Sequence, residues 1–197
     1  RRRMMQPPSP KNGFGDLVLV VGDICIPNRA DKIPSQLEKL VTANRLKQVI
    51  CTGNYCSKAM LQWLQRMAPI VHIVKGDLDE SKEFPFEKKL RVGNFDVGLI
   101  HGHQVVPWGD TESLAALQRK LGVDVLISGH THEASVVEYQ GRWLLNPGSI
   151  TGAFNSIKTK TCPSLMVLSV KKSEMTVFLY QLKDKKVVVT SKILTKS

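Results

Sequence analysis

Long apolar runs are missing: no stretch of the 197 residues approaches the ~20 consecutive apolar residues that a membrane-spanning helix requires. The expectation is a soluble protein. Cysteine is scarce as well. Cys25, Cys51, Cys56 and Cys162 are the only four, and they lack the paired spacing of a zinc knuckle or a secreted disulfide framework, which suits a reducing, cytosolic compartment. Aromatics number twelve (6 Phe, 3 Trp, 3 Tyr). Base stacking needs aromatics interleaved with gathered Lys and Arg, whereas the C-terminal lysines sit at turns (Lys171, Lys172, Lys183, Lys185, Lys186) or alternate with apolar residues. The net charge of +11 therefore reads as a solvated face, and nucleic acid is not an expected partner. Arg1 to Pro10 holds three arginines and three prolines without the apolar stretch of a secretory signal. Residues 1–15 read as a flexible N-terminal extension, and 16–197 as a single domain.

Apolar runs of strand length are nevertheless frequent enough to offset the entropy of folding. Leu17 to Val21 ends at Gly22-Asp23, Val49 to Cys51 at Thr52-Gly53-Asn54, and Ile70 to Val74 is followed by Lys75-Gly76-Asp77. Helices are expected between them, from Ser35 to Gln48 and, capped by Ser57, to Met67. Strand, polar loop, helix, strand is the pattern of parallel pairing. Lys89 to Val92 and Phe95 to Ile100, joined by Gly93-Asn94, form a hairpin pattern; Asp110 opens a helix through Leu121, and 124–128 is another buried strand. Short strands follow at 133–139, 142–145, 164–170, 175–182 and 186–194. The reading is one α/β domain with two sheets, parallel-rich first and antiparallel later.

In open α/β sheets, ligands gather where loops leave the carboxyl ends of the strands. Those loops carry Asp23-Ile-Cys25, Gly53-Asn54, Gly76-Asp77-Leu78-Asp79, His101-Gly-His103 and Gly129-His130-Thr-His132. Small residues before the polar ones let loops approach closely. All five histidines lie between positions 72 and 132. His72, inside a strand run, reads as a partly buried residue, but two His-x-His pairs in register with three Asp/Asn loops form a ligand set. Mixed nitrogen and oxygen donors suit Zn²⁺, Mn²⁺ or Fe²⁺ better than Mg²⁺ or Ca²⁺.

The order Asp23-Ile-Cys25, Gly53-Asn54, Gly76-Asp77-Leu78-Asp79, His101, Gly129-His130-Thr-His132 resembles that of the calcineurin-like metallophosphoesterases. The segments 100–110, 127–132 and 146–153 resemble in particular the branch that supplies the small subunit of retromer. The resemblance implies a four-layer α/β/β/α sandwich with two mixed β-sheets. It implies one metal position at Asp23, residue 25 and His132, a second at Asp77, His101 and His130, and Asn54 between them. Zinc or manganese is the implied cofactor, weakly bound or absent, because three positions depart from the enzyme pattern. Cys25 replaces a His and is a poor ligand for Mn²⁺ or Mg²⁺, though its thiolate can take Zn²⁺. Asn54 replaces a bridging Asp, so repulsion between two dications ~3.5–4 Å apart is less well offset. Leu78 replaces the His that would protonate a leaving group, a role worth roughly 10²–10⁴ in rate. His103 is extra to the metal set and reads as a hydrogen-bonding loop residue.

Val105-Val106-Pro107-Trp108 is, on the residues alone, either a loop folded over the core or an exposed interface. The resemblance favours contact with the large α-solenoid subunit of retromer, vacuolar protein sorting subunit 35. Leu17, Leu40, Val41, Val167, Phe178 and Tyr180 are core residues on composition; the resemblance makes them a second apolar patch, used by retromer regulators. The implied function is a non-catalytic scaffold in endosome-to-Golgi protein transport, cytoplasmic and peripheral on the cytosolic face of endosomes, touching membrane only through the complex. The alternative is an active metal-dependent phosphodiesterase or phosphatase.

Overall fold

A computed structural model describes residues 15–42, 45–157, 159, 161–171 and 173–196. All but the last residue of the expected N-terminal extension lies outside the described residues. The chain runs β1 (Asp16–Val21), α1 (Ser35–Thr42), β2 (Gln48–Cys51), α2 (Lys58–Met67), β3 (Ile70–Ile73), β4 (Glu87–Val92), β5 (Phe95–Ile100), α3 (Thr111–Leu121), β6 (Val125–Ile127), β7 (Ser135–Tyr139), β8 (Arg142–Asn146), β9 (Ser164–Lys171), β10 (Glu174–Lys183) and β11 (Lys186–Thr195). Ser57 caps α2, its hydroxyl accepting from the Met60 N–H at 3.4 Å. Asp110 caps α3 through the Ser113 N–H at 2.8 Å, and Gly122 closes that helix in the left-handed region at φ 65°. No helix among the described residues is long and apolar enough to cross a membrane.

The helix expected from Ser35 to Gln48 stops at Thr42. The Lys47 N–H already donates to the Leu17 carbonyl at 2.8 Å, and Gln48 stands in register with Val18 on β1 and Ile70 on β3. Those residues are held to the sheet, so the helix cannot continue through them.

Two sheets form, ordered β11-β10-β9-β1-β2-β3 and β4-β5-β6-β8-β7. The division into parallel-first and antiparallel-later pairing does not map onto them. β1 pairs β2 in parallel on one side and β9 antiparallel on the other, so the N-terminal and C-terminal strands share one sheet and the middle of the chain builds the second. Side-chain alternation along β1 shows how four layers arise. Leu17, Leu19 and Val21 point to the core under α1 and α2, with Leu37, Val41, Trp63 and Leu64. Val18 and Val20 point the other way, into the core between the sheets with Val97, Leu99, Ile127 and Leu168. A third core holds Leu126 and Leu144 beneath Leu114 and Leu121 of α3. The architecture is the expected α/β/β/α sandwich with two mixed sheets.

The helix-side core absorbs most of the second apolar patch. Leu17, Val41, Val167 and Tyr180 are buried there, because α1 lies across β10 and β11. Leu40 and Phe178 are half-buried at its margin. As a set the six are core, with two members reaching the surface.

Candidate metal centre

Parallel strands β1, β2 and β3 of one sheet and β5 and β6 of the other end at the same rim, and the loops leaving them converge. Close approach depends on glycine: a Cβ at Gly76 would overlap the Asn54 amide, and one at Gly129 the Thr52 hydroxyl. Two groups of ligand-type atoms result, Asp23, Cys25 and His132 in one and Asp77, His101 and His130 in the other, each with its atoms within 4.8 Å of one another. No other such group occurs among the described residues. Cys25, Asn54, His130 and His132 all hold positive φ, a backbone that few side chains adopt without support.

That support comes from hydrogen bonds around the ligands. The Ser149 hydroxyl donates to the Asp23 carbonyl at 2.7 Å, and Thr151 to the Ile24 carbonyl at 2.9 Å. His132 Nδ1 meets the Ala153 carbonyl at 2.6 Å and His101 Nδ1 the Thr52 carbonyl at 2.7 Å. A carbonyl only accepts, so each Nδ1 carries hydrogen and each Nε2 faces the carboxylates. His101 Nε2 lies 2.8 Å from Asp77 and 3.7 Å from Asp23, and His132 Nε2 lies 3.2 Å from Asp23. Burial works against charge on all of these groups, but the pairing prevails. Asp23 is held down to about 2, by the His101 charge ahead of the His132 hydrogen bond. Asp77 falls well below the carboxylate range through hydrogen bonds from His101, His130 and Asn54. His101 and His132 are raised, chiefly by Asp23.

Asn54 sits between the groups with a fixed orientation. Its Oδ1 accepts the Leu78 backbone N–H at 2.9 Å, which leaves Nδ2 to donate to Asp23 at 2.9 Å and Asp77 at 3.0 Å. Because the Leu78 amide can only donate, the –NH₂ faces the carboxylates. Carboxylate, thiol and imidazole in the first group, and carboxylate with two imidazoles in the second, each fit an ion such as Zn²⁺. A pair of ions sharing a bridge at Asn54 is not favoured, since the bridging place holds two N–H donors. Cys25 is fully buried, and hydrogen bonding to the Cys56 thiol, then burial and the Asp23 charge, push its pKa up. As a thiolate it requires an ion beside it.

The profile of the calcineurin-like phosphoesterase superfamily domain matches residues 16–173. Vacuolar protein sorting-associated protein 29 of Schizosaccharomyces pombe is 34% identical over 172 residues, covering 85% of this chain and 92% of that protein. The chain belongs to the Vps29 family of calcineurin-like phosphoesterases. Among solved structures, Cryptosporidium parvum Vps29 superimposes with a TM-score of 0.89 at 38% identity, over 93% of this chain and 100% of that one. Wild-type Entamoeba histolytica Vps29 in complex with zinc gives 0.86 at 43%, over 91% and 99%.

This Vps29-family chain differs at its rim from the expectations drawn on sequence. Val105 is buried with Leu114 and Ile100 beneath α3, so the apolar loop is core at its first residue and surface at the others. Val106 is 75% exposed and Trp108 40%, the indole standing edge-on to His130 with ring centroids 4.4 Å apart. His103 hydrogen-bonds as a loop residue through its backbone, its carbonyl accepting the Trp108 indole N–H at 3.2 Å, and its ring plays a different part. Its Nδ1 is buried without a partner, and the ring packs against His101, His130 and Phe86. Burial, then the His101 charge, lowers its pKa.

Three contributions escaped the sequence reading. Asp79 is buried and accepts from the backbone N–H groups of Asn54 at 2.7 Å, Gly76 at 2.9 Å and Cys56 at 2.9 Å, which clamps two ligand loops together. The signal was its place in Gly76-Asp77-Leu78-Asp79. Ser149 and Ala153 brace ligands from the 146–153 segment, recognisable as a motif but without a stated role. Phe86, Phe154 and Ile157 are exposed apolar residues that extend the rim, and an apolar residue within a polar loop was their only mark.

Proposed function

We propose that this domain is a non-catalytic scaffold subunit of the retromer endosomal sorting complex. It docks through its metal-site face onto a large α-solenoid partner, vacuolar protein sorting subunit 35, during endosome-to-Golgi transport, and associates with the cytosolic face of endosomes through that complex. The observation that carries this reading is the exposed ridge of Val106, Pro107 and Trp108 built directly over His130. Apolar and indole groups at that position suit a protein surface as binding anchors. On this reading Asp23, Cys25, Asn54, Asp77, His101, His130 and His132 are an eroded catalytic set that holds zinc as a structural ion. Leu78 offers no proton to a leaving group, and its backbone amide fixes Asn54 in the donor orientation. Regulators of the complex meet the opposite face where Leu40 and Phe178 reach the surface.

Binding of the purified protein to the recombinant solenoid subunit tests the reading. Val106→Asp removes binding and changes stability by no more than about 0.5 kcal/mol, as for other exposed positions. Val105→Asp, in contrast, unfolds the loop. The intact ligand groups favour the competing reading, a working phosphodiesterase. Brisk hydrolysis of a chromogenic phosphodiester with Zn²⁺ or Mn²⁺, abolished by His101→Ala, would replace the scaffold assignment with that one.

A further inference from the structure

Two of the four cysteines meet beside the ligand groups. The Cys25 and Cys56 side chains are neighbours, near enough for each thiol to influence the other. Their backbones are fixed on either side of the same loop: the Cys25 N–H donates to the Asn54 carbonyl at 2.8 Å, and the Cys56 N–H to Asp79 at 2.9 Å. Both cysteines are thus anchored to the loop that carries Asn54, which keeps their side chains together. Access differs between them. Cys25 is sealed, whereas Cys56 is partly exposed and lines a surface cavity of about 200 Å³ with Tyr55, Ser57, Leu61 and Asp79. The remaining cysteines are differently engaged, since Cys51 is buried with its thiol toward the Gly53 carbonyl and Cys162 is held by the Leu182 carbonyl. An accessible thiol with a second thiol in contact is the arrangement of a peroxide-reactive cysteine and its resolving partner.

We propose that Cys25 and Cys56 form a reversible disulfide with a hydroperoxide as oxidant, and that this bond withdraws Cys25 from the group it makes with Asp23 and His132. In the first step the Cys56 sulfur takes an oxygen from the hydroperoxide, giving a sulfenic acid and the corresponding alcohol or water. Cys25 sulfur then attacks the Cys56 sulfur; the S–O bond breaks and the hydroxyl leaves with the Cys25 proton as water. The two thiols supply two electrons and the O–O bond accepts them. A dithiol reductant reverses the reaction by exchange. Disulfide formation needs only the sulfur contact; the withdrawal of a ligand rests on the metal-binding reading above. The sulfur of Cys25 can bond an ion or Cys56, so loading and oxidation exclude each other.

The test treats reduced, metal-free, full-length protein with hydrogen peroxide and follows it by free-thiol titration and peptide mass spectrometry. The expected result is a fall from four free thiols to two, with one linked peptide pair joining Cys25 to Cys56, and return to four with dithiothreitol. Cys25→Ser and Cys56→Ser, checked for folding by circular dichroism, each abolish the link. A Cys51 or Cys162 linkage, or Cys56 oxidised beyond sulfenic acid with Cys25 still free, overturns the proposal. Zinc added first, at about ten times its Kd, leaves about a tenth of the molecules with Cys25 available and slows linkage about tenfold. An unchanged rate in zinc-loaded protein, or zinc binding that Cys25→Ser leaves intact, overturns the exclusion. Linkage in a protein that binds no zinc leaves the disulfide standing and removes the metal-binding reading instead.

Discussion

On one side of Asn54, Asp23, Cys25 and His132 are sealed within the fold; on the other, the Asp77 side chain is 35% exposed and His130 11%. The closed group is braced from the 146–153 segment, where Ser149 and Ala153 fix the backbone of Asp23 and the ring of His132. The open group borrows stiffness from His101 and is capped by an indole. Similar donors thus sit in unlike settings. Water and exchanging ions reach the open side first, and the sealed side changes only when its surroundings do.

The largest effect is expected from erasing this division. Asp79→Ala leaves the N–H groups of Asn54, Gly76 and Cys56 without their acceptor, and at about 1–3 kcal/mol for each buried orphan the loss is about 3 kcal/mol or more in urea unfolding. Both ligand groups should then lose metal binding together. Asn54→Asp tests the barrier itself. In chelator-treated protein a third carboxylate between Asp23 and Asp77 lowers stability by about 1–3 kcal/mol, and saturating zinc reverses the sign, which melting curves with and without metal would reveal. A gentler change confined to the closed side is Cys25→His, which should raise Mn²⁺ affinity on the order of tenfold by replacing a soft donor with imidazole. Competition with a metallochromic chelator measures it.

The smallest effect is the pH profile of the metal-free protein. Asp23 and Asp77 lie below their ordinary value of 3.8, so the stability they add is present above that pH and is lost as pH falls through their lowered values, about 2 for Asp23. His101 and His132 lie above 6.5, so their contribution is complete below that pH and is lost as pH rises through their raised values. The cluster therefore stabilises most between about pH 4 and 6.5, by on the order of 1 kcal/mol over pH 8, and zinc should flatten the upper limb.

How legible all this was depended on the range of the interaction. Strands such as Leu17 to Val21 and the caps Ser57 and Asp110 follow from local pattern, and the structure has them within a residue or two. The end of α1 did not, because Lys47 is claimed by Leu17, thirty residues earlier. Nor did the sheet order, which depends on β1 pairing with β9. Within the site, convergence of the ligand loops was readable from glycine and strand-end register. The clamp of Asp79 was not, since its Asn54 and Cys56 partners lie in another loop. Val105 and Val106 are alike in sequence and opposite in fate; only the packing of α3 separates them.

A side-chain amide that already donates to the buried Asp23 carboxylate and to Asp77 at the rim stands, uncharged, where a cation would otherwise be needed. Where a zinc finger depends on its ion to fold, the Asn54 network holds these side chains by hydrogen bonds, and an incoming ion would have to displace those N–H donors before it is held. Metal occupancy would then follow supply while the architecture stays the same.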